Sequence, residues 1–197
     1  MDLVAAAARA LVLATGVALA VAGLGVLVRE HTVRRPPRIE LHLGPLSLVN
    51  YAAIGFYVVL GPTLALWVQP GPETPLQASV RVAGIAMLGL ATWVEIWAIW
   101  TMGRNLVSDA EIRPDTELVT HGPFGRVRHP LFASLLLLWA GAAAGLLSSV
   151  LAAGFLVLAP AFYLRARVEE AMLTRHFGSA YLEYASCVPM FVPRFRR

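Results

Sequence analysis

From Pro130 to Leu164 the chain carries no charged side chain, and the stretch 46–68 carries none either. A helix of about 20 apolar residues covers the ~30 Å hydrocarbon core of a bilayer. The segments near 4–28, 46–68 and 78–102 each reach that length. "GLLSS" at 145–149 divides 130–164 into two spans of about 17 residues each, which reads as a tight helical hairpin. The expected fold is therefore all-α and integral to the membrane, with five transmembrane helices in one membrane domain over 1–197. Composition agrees: 58% of residues are hydrophobic and 14% charged, against about 25% charged in soluble domains.

The first segment contains "ALAVAG", which resembles a small-residue cleavage site. Its apolar run after Arg9 outlasts the apolar region of a secretory signal, and no basic cluster precedes it, so it reads as a retained transmembrane helix.

Loop charge gives an orientation. Arg29, Arg34, Arg35 and Arg38 crowd the 29–45 loop, whereas 69–77 has no basic residue. Arg104, Arg113, Arg126 and Arg128 follow in 103–128, the hairpin tip has none, and the segment after it is again rich in arginine. Five crossings with basic loops inside put the N-terminus outside and the C-terminus in the cytoplasm. The net charge of +4 is accounted for by this arrangement and by contact with membrane lipids, so no nucleic-acid partner is expected. All sixteen basic residues are arginine, the mark of a GC-rich genome, which points to a bacterial inner membrane. The single cysteine, Cys187, excludes an intramolecular disulfide framework and a cysteine-based zinc cluster.

"GAAAG", Gly141 to Gly145, places small residues four apart and suits close packing of two membrane helices. After the fifth span, Val168, Met172, Leu173, His176 and Phe177 recur at helical spacing among polar residues, predicting an amphipathic cytoplasmic helix that continues the last span. Gly178 ends its first part, Ser179 caps a short second helix, and Pro189 stops that one.

No soluble segment is long enough for a βαβ unit of about 30 residues, so any cofactor must be held by short loops and helix ends at the membrane surface. Two clusters are candidates. In "DTELVTHGPFGRVRHPLF", Gly122 and Pro123 form a turn, Arg126 and Arg128 supply fixed charge, and Pro130 begins a helix. In "RARVEE", Arg165 and Glu169 lie four apart on one helix face, with Glu170 beside them. Taken alone, these arginines are equally an orientation signal and "RVEE" a solvated helix face. His121 and His129 have no metal-ligand companion pattern, so no metal is expected. Glu95, about two turns inside the third span, is a functional candidate or a structurally paired carboxylate. Trp93, Trp97 and Trp100 read first as an interfacial belt or packing surface.

Together "LVTHGPFGRVRHPLF", the apolar hairpin, "RARVEE", "FGSAY" and "VPMFVP" resemble the isoprenylcysteine carboxyl methyltransferase family, which is similar to the phospholipid methyltransferases. The match covers 103–193, the methyltransferase-like region. The resemblance implies an integral membrane methyltransferase that uses S-adenosylmethionine on a lipophilic substrate entering from the bilayer. It implies Glu117, Leu118, Val119, Gly122, Pro123 and Phe124 as cofactor contacts before the hairpin. His129, Pro130 and Phe132 would extend that wall, and Arg165 and Glu170 would close it from the following helix. Arg128 and Glu169 are the implied catalytic pair, and Glu95, Trp97, Arg104 and Asn105 the candidate substrate contacts. Phe124 and Phe132 stand where the family commonly has tyrosine, and Thr116 where many members have histidine, a contact Glu117 would replace.

A carboxylate acceptor needs no general base, and an arginine can orient it in a bidentate clamp; Arg128 is expected to hold either that carboxylate or the cofactor's. An amine acceptor must first lose a proton, for which Glu95 or Glu170 would serve. A sterol-reductase-like oxidoreductase using NADPH and a non-catalytic membrane scaffold remain the readings from other classes.

Overall fold

Helices make up almost all of the structure, a computed structural model that describes residues 3–32, 40–41, 47–67, 73–106, 111–112 and 116–194. The long elements are α1 (Leu3–Thr32), α2 (Ser47–Trp67), α3 (Pro75–Met102), α4 (Pro130–Leu146) and α5 (Ser149–Phe177), followed by the short α6 (Ser179–Cys187). β1 (Glu40–Leu41) and β2 (Glu111–Ile112) form a two-residue antiparallel pair, Glu40 opposite Ile112, that the all-α expectation did not contain. Among the arginines used for orientation, Arg34, Arg35, Arg38, Arg113, Arg196 and Arg197 lie outside the described residues, as do the side chains of Arg29 and Arg104.

Among the described residues three helical stretches are long and apolar enough to cross a membrane: Leu3–Gly25, Pro75–Met102 and Ser149–Phe177. Tyr51–Trp67 and Pro130–Leu146 are shorter apolar helices. Local chemistry explains their limits. Thr74 and Gln77 form a reciprocal capping box at the start of α3, with Pro75 in the first turn, where its missing N–H costs nothing. α4 stops because Leu147 takes a left-handed conformation (φ 52), and Ser148 then caps α5 by accepting from Leu151 N. Gly178 (φ 57) separates α5 from α6. Ser179 is the first helical residue of α6 rather than its cap; the cap position falls to Gly178, whose backbone makes the turn that Ser179 would otherwise introduce.

In lipid, helices are held by close packing rather than by exclusion of water. The most extensive helix contact is α3 with α4. Gly84 of α3 crosses Gly141 and Gly145 of α4 so closely that a Cβ at Gly84 would lie 2.7 Å from Gly141 O. This is the packing role expected of "GAAAG". Near the same crossing Arg81 donates from Nε to Glu73 at 2.5 Å and from Nη1 to Gly145 O at 2.6 Å, which joins the start of α3 to the end of α4. On the other side α1 and α2 interlock where Gly16 meets Pro62, and the Thr15 and Tyr57 hydroxyls are 2.9 Å apart. Of the stripe expected on the last span's continuation, Met172 is buried and Val168, Leu173 and Phe177 partly so, whereas His176 is exposed.

Candidate active site

Residues 121–127 fold into one 3-10 turn, Gly122–Gly125, that presses against the end of α3. Gly122 has φ 62, and a Cβ there would lie 2.8 Å from Thr101 Oγ1, so both the backbone angle and the space require glycine. Phe124 and Val127 are buried beneath the turn. The next two backbone N–H groups leave the turn for the C-terminal segment: Arg128 N donates to Pro189 O at 2.9 Å and His129 N to Met190 O at 3.1 Å. Pro130 then starts α4 in the first-turn position expected of it.

This path brings the two charged clusters together in one row. Arg165 Nε donates to Glu169 Oε1 at 3.1 Å. Glu169 Oε2 is 3.7 Å from His129 Nδ1, and His129 Nε2 is 3.4 Å from Glu170 Oε1. Glu170 Oε1 accepts from Arg128 Nε at 2.6 Å. His129 thus sits between two adjacent carboxylates, each braced on its far side by an arginine. Flat groups hold the row in place: the His129 ring stacks on Phe132 at 5.5 Å, and the Arg165 guanidinium lies 5.6 Å above the same phenyl ring.

The row borders a cavity of about 580 Å³, within the range of ~300–1,000 Å³ common for small-molecule sites. Arg128, His129, Arg165 and Glu169 line it, whereas Glu170 stands behind them as a brace. The segment before the turn contributes Thr116, Glu117, Leu118 and Val119, and Phe124, Pro130 and Phe132 add apolar wall. Ile112 of β2 also lines the cavity, so the unforeseen strand pair reaches the site. α1 and α2 add apolar lining, among it Leu19 and Gly23 of α1 and Ile54 and Val58 of α2. Glu95 lines the cavity too and accepts a short hydrogen bond from the Ser134 hydroxyl of α4. Asn105 joins it from the turn after α3, its Oδ1 accepting from Glu117 N at 3.2 Å.

Three candidates stand elsewhere. Gly122 and Pro123 support the turn without lining the cavity. Trp97 packs outside it, 4.9 Å from Trp93 and under the Arg126 guanidinium at 5.5 Å. Arg104's side chain is not among the described residues.

Sequence reasoning did not single out Ser134, or the roles of Tyr181 and Tyr184, which line the cavity from α6. Burial pushes the Tyr184 phenol up to about 12. Burial, and then the charge of Glu170, also raises Tyr181. Both are protonated donors at neutral pH. Tyr184 Oη donates to Phe124 O at 2.7 Å, while Tyr181 Oη is buried beside Glu170 without a well-aligned hydrogen bond. Among the described residues no group of three or more His, Cys, Asp or Glu is placed to hold a metal.

A family model described as phospholipid methyltransferase matches residues 80–180, which span α3 to the start of α6. Protein-S-isoprenylcysteine O-methyltransferase B of Arabidopsis thaliana is 34% identical over 113 residues, covering 56% of this chain and 57% of its own. The nickel-cobalt-cadmium resistance protein NccN of Alcaligenes xylosoxydans xylosoxydans is 32% identical over 127 residues, covering 62% and 54%. A probable protein-S-isoprenylcysteine O-methyltransferase of Oryza sativa subsp. indica is 30% identical over 125 residues, covering 62% and 65%. The chain thus spans between about half and two thirds of the length of these relatives. The matched region contains the turn, the row of charges and most of the cavity wall, and on that ground the chain belongs to the phospholipid methyltransferase family, related to the isoprenylcysteine carboxyl methyltransferases.

Proposed function

We propose that the chain is an integral membrane methyltransferase that uses S-adenosylmethionine to methylate the polar head of a lipophilic acceptor. The observation that carries this reading is the row Arg165–Glu169–His129–Glu170–Arg128 on a cavity that α1 and α2 also line with apolar residues. A zwitterionic, partly aromatic cofactor suits the charged residues of the lining. An alkyl or prenyl chain suits the end formed by α1 and α2.

In this reading all five long helices cross the bilayer, the last two as a hairpin, with the N-terminus outside and the site at the cytoplasmic face of a bacterial inner membrane. S-adenosylmethionine supplies a methyl group on a sulfonium whose positive charge disappears in an in-line displacement, so the protein's work is positioning and exclusion of water. Glu169 and Glu117 would hold amino or hydroxyl groups of the cofactor, and Leu118, Val119 and Phe124 would cover its apolar parts, while Phe132, stacked on His129 and Phe162, would support that wall. Arg128 already gives Nε to Glu170 and Nη1 to the carbonyls of Ala185 and Val188, so it offers a ligand one remaining nitrogen rather than a bidentate clamp. Glu170 acts through Arg128 and His129.

Two acceptor heads fit: the carboxyl group of a prenylated cysteine, as the plant relatives are named, and the amine of a phospholipid, as the family is named. Purified protein titrated in parallel with S-adenosylmethionine and NADPH is expected to bind the first. Labelled methyl donor is expected to mark a product in a lipid extract or on synthetic prenylcysteine. Binding of NADPH alone overturns the methyltransferase reading.

A further inference from the structure

Glu95 is a carboxylate about two turns from the end of the apolar helix α3, and it lines the cavity together with apolar side chains such as Ile99, Leu131 and Leu135. Carboxylates in such surroundings are paired with cations or serve a function. Among the described residues its partner is the neutral Ser134 hydroxyl, and no basic side chain pairs with it. The arginines of the site are committed elsewhere: Arg128 holds Glu170 and the carbonyls of Ala185 and Val188, and Arg165 holds Glu169. Ser134 follows Pro130 by one turn of α4, about 6 Å along the helix. Glu95 therefore lines the same cavity as the charged row and the apolar residues of α1 and α2, and it presents to a lipid head a carboxylate with no basic partner among the described residues.

We propose that Glu95, oriented by Ser134, is the residue that recognises the acceptor's head group, and that it selects an ammonium head over a carboxylate. The inference rests on the methyltransferase reading and chooses within it. A carboxylate facing Glu95 is accommodated only if one of the two carboxyl groups takes up a proton, whereas an ammonium pairs with the ionised Glu95 directly. The same contact prepares the reaction. The ammonium gives one N–H proton to a Glu95 oxygen, and the nitrogen lone pair so exposed forms the new bond to the donor's methyl carbon. The carbon–sulfur bond breaks with its electron pair staying on sulfur, which becomes a neutral thioether. The product is a methylated ammonium, and the proton is left on Glu95.

Binding measured without the methyl donor tests this. The full chain is placed in phosphatidylcholine nanodiscs and titrated with oleylamine, oleic acid and oleyl alcohol, three heads on one chain. Wild-type protein is expected to bind the amine at least ~10-fold more tightly than the acid, and Glu95→Gln, which keeps the size and the bond from Ser134, is expected to erase the preference. Ser134→Ala is expected to weaken the preference without removing it. The proposal is overturned if wild type shows no preference or favours the acid, or if Glu95→Gln keeps the preference. It is also overturned if Glu95→Gln weakens S-adenosylmethionine binding while leaving the amine preference intact, because Glu95 then faces the donor. If wild type fails to bind S-adenosylmethionine but shows the Glu95-dependent preference, the methyltransferase reading falls and the head-group site stands.

Discussion

Arg128 and Glu170 meet at 2.6 Å between Nε and Oε1, with side chains only 13% and 15% exposed. The same guanidinium holds the carbonyls of Ala185 and Val188 through Nη1. One side chain thereby joins the turn before α4, the middle of α5 and the end of α6. An arginine at the mouth of an apolar helix is commonly an orientation signal, but this one is also a latch on the C-terminal segment.

Arg128→Lys keeps the charge and loses the planar fork that lets one group reach a carboxylate and two carbonyls at once. The expected result is a destabilisation of about 2 kcal/mol, below the cost of breaking a fully buried pair because this one retains some access to water. Faster hydrogen exchange is expected across 185–191 and in the first turn of α4. Exchange unchanged in both places would show that the latch does not hold the segment.

Glu169 and Glu170 are neighbours in sequence with different surroundings: Glu169 lines the cavity, and Glu170 braces Arg128 and His129 from behind. Glu169→Gln is expected to weaken S-adenosylmethionine binding by ~10-fold or more with little change in thermal stability, as loss of a charged hydrogen bond to a ligand does. Glu170→Gln is expected to lower the thermal midpoint and to raise exchange at 185–191, as Arg128→Lys does. Calorimetric titration and thermal unfolding of the two variants check this, and equal effects from both would contradict the division of labour.

Tyr184 ties α6 to the turn by donating to Phe124 O, and burial raises its phenol from 10.0 to about 12. A phenol raised in the folded state keeps its proton where the unfolded chain has lost it. The resulting stability is complete below pH 10 and lost as pH rises from about 10 to about 12. Tyr184→Phe is expected to cost about 1 kcal/mol at neutral pH through the lost hydrogen bond. It is also expected to flatten the fall in stability above pH 10. Unfolding followed at pH 8, 10 and 11 tests both.

The helices and the two clusters were legible because both leave local signals: uncharged length for a span, and charge at helical spacing beside a glycine–proline turn. What the clusters do to one another was not. Arg128 reads as a free clamp from its sequence because two of its partners are backbone carbonyls at Ala185 and Val188, which no side chain announces. Glu170 was grouped with Glu169 since both lie in "RVEE", but successive residues on a helix point about 100° apart, and only one can face the cavity. Trp97 shares α3 with Glu95, yet helix rotation turns it toward the Gly122 turn. Ser134 passed as a small residue in an apolar helix; a hydroxyl in the first turns of a span that also needs a partner for Glu95 was the available signal. Arg81 was hidden at the start of a span, where its pairing with Glu73 depends on how the chain turns into α3.

Two glycines of α3 separate packing from helix propensity. A Cβ at Gly84 would lie 2.7 Å from Gly141 O, in a crossing made of backbone that has no flexible side chain to yield. At Gly89 a Cβ would meet nothing within 4 Å. Gly84→Ala is therefore expected to force α3 and α4 apart and to cost about 1–3 kcal/mol, as overpacking does. Gly89→Ala is expected to be neutral or to add up to about 1 kcal/mol from helix propensity. Because the same two helices carry Glu95, which lines the cavity, and its partner Ser134, Gly84→Ala is also expected to weaken ligand binding at a site several turns away. Thermal unfolding in detergent, with ligand titration of whatever remains folded, checks both variants. Equal stability of the two would show that the α3–α4 crossing is not held by backbone proximity.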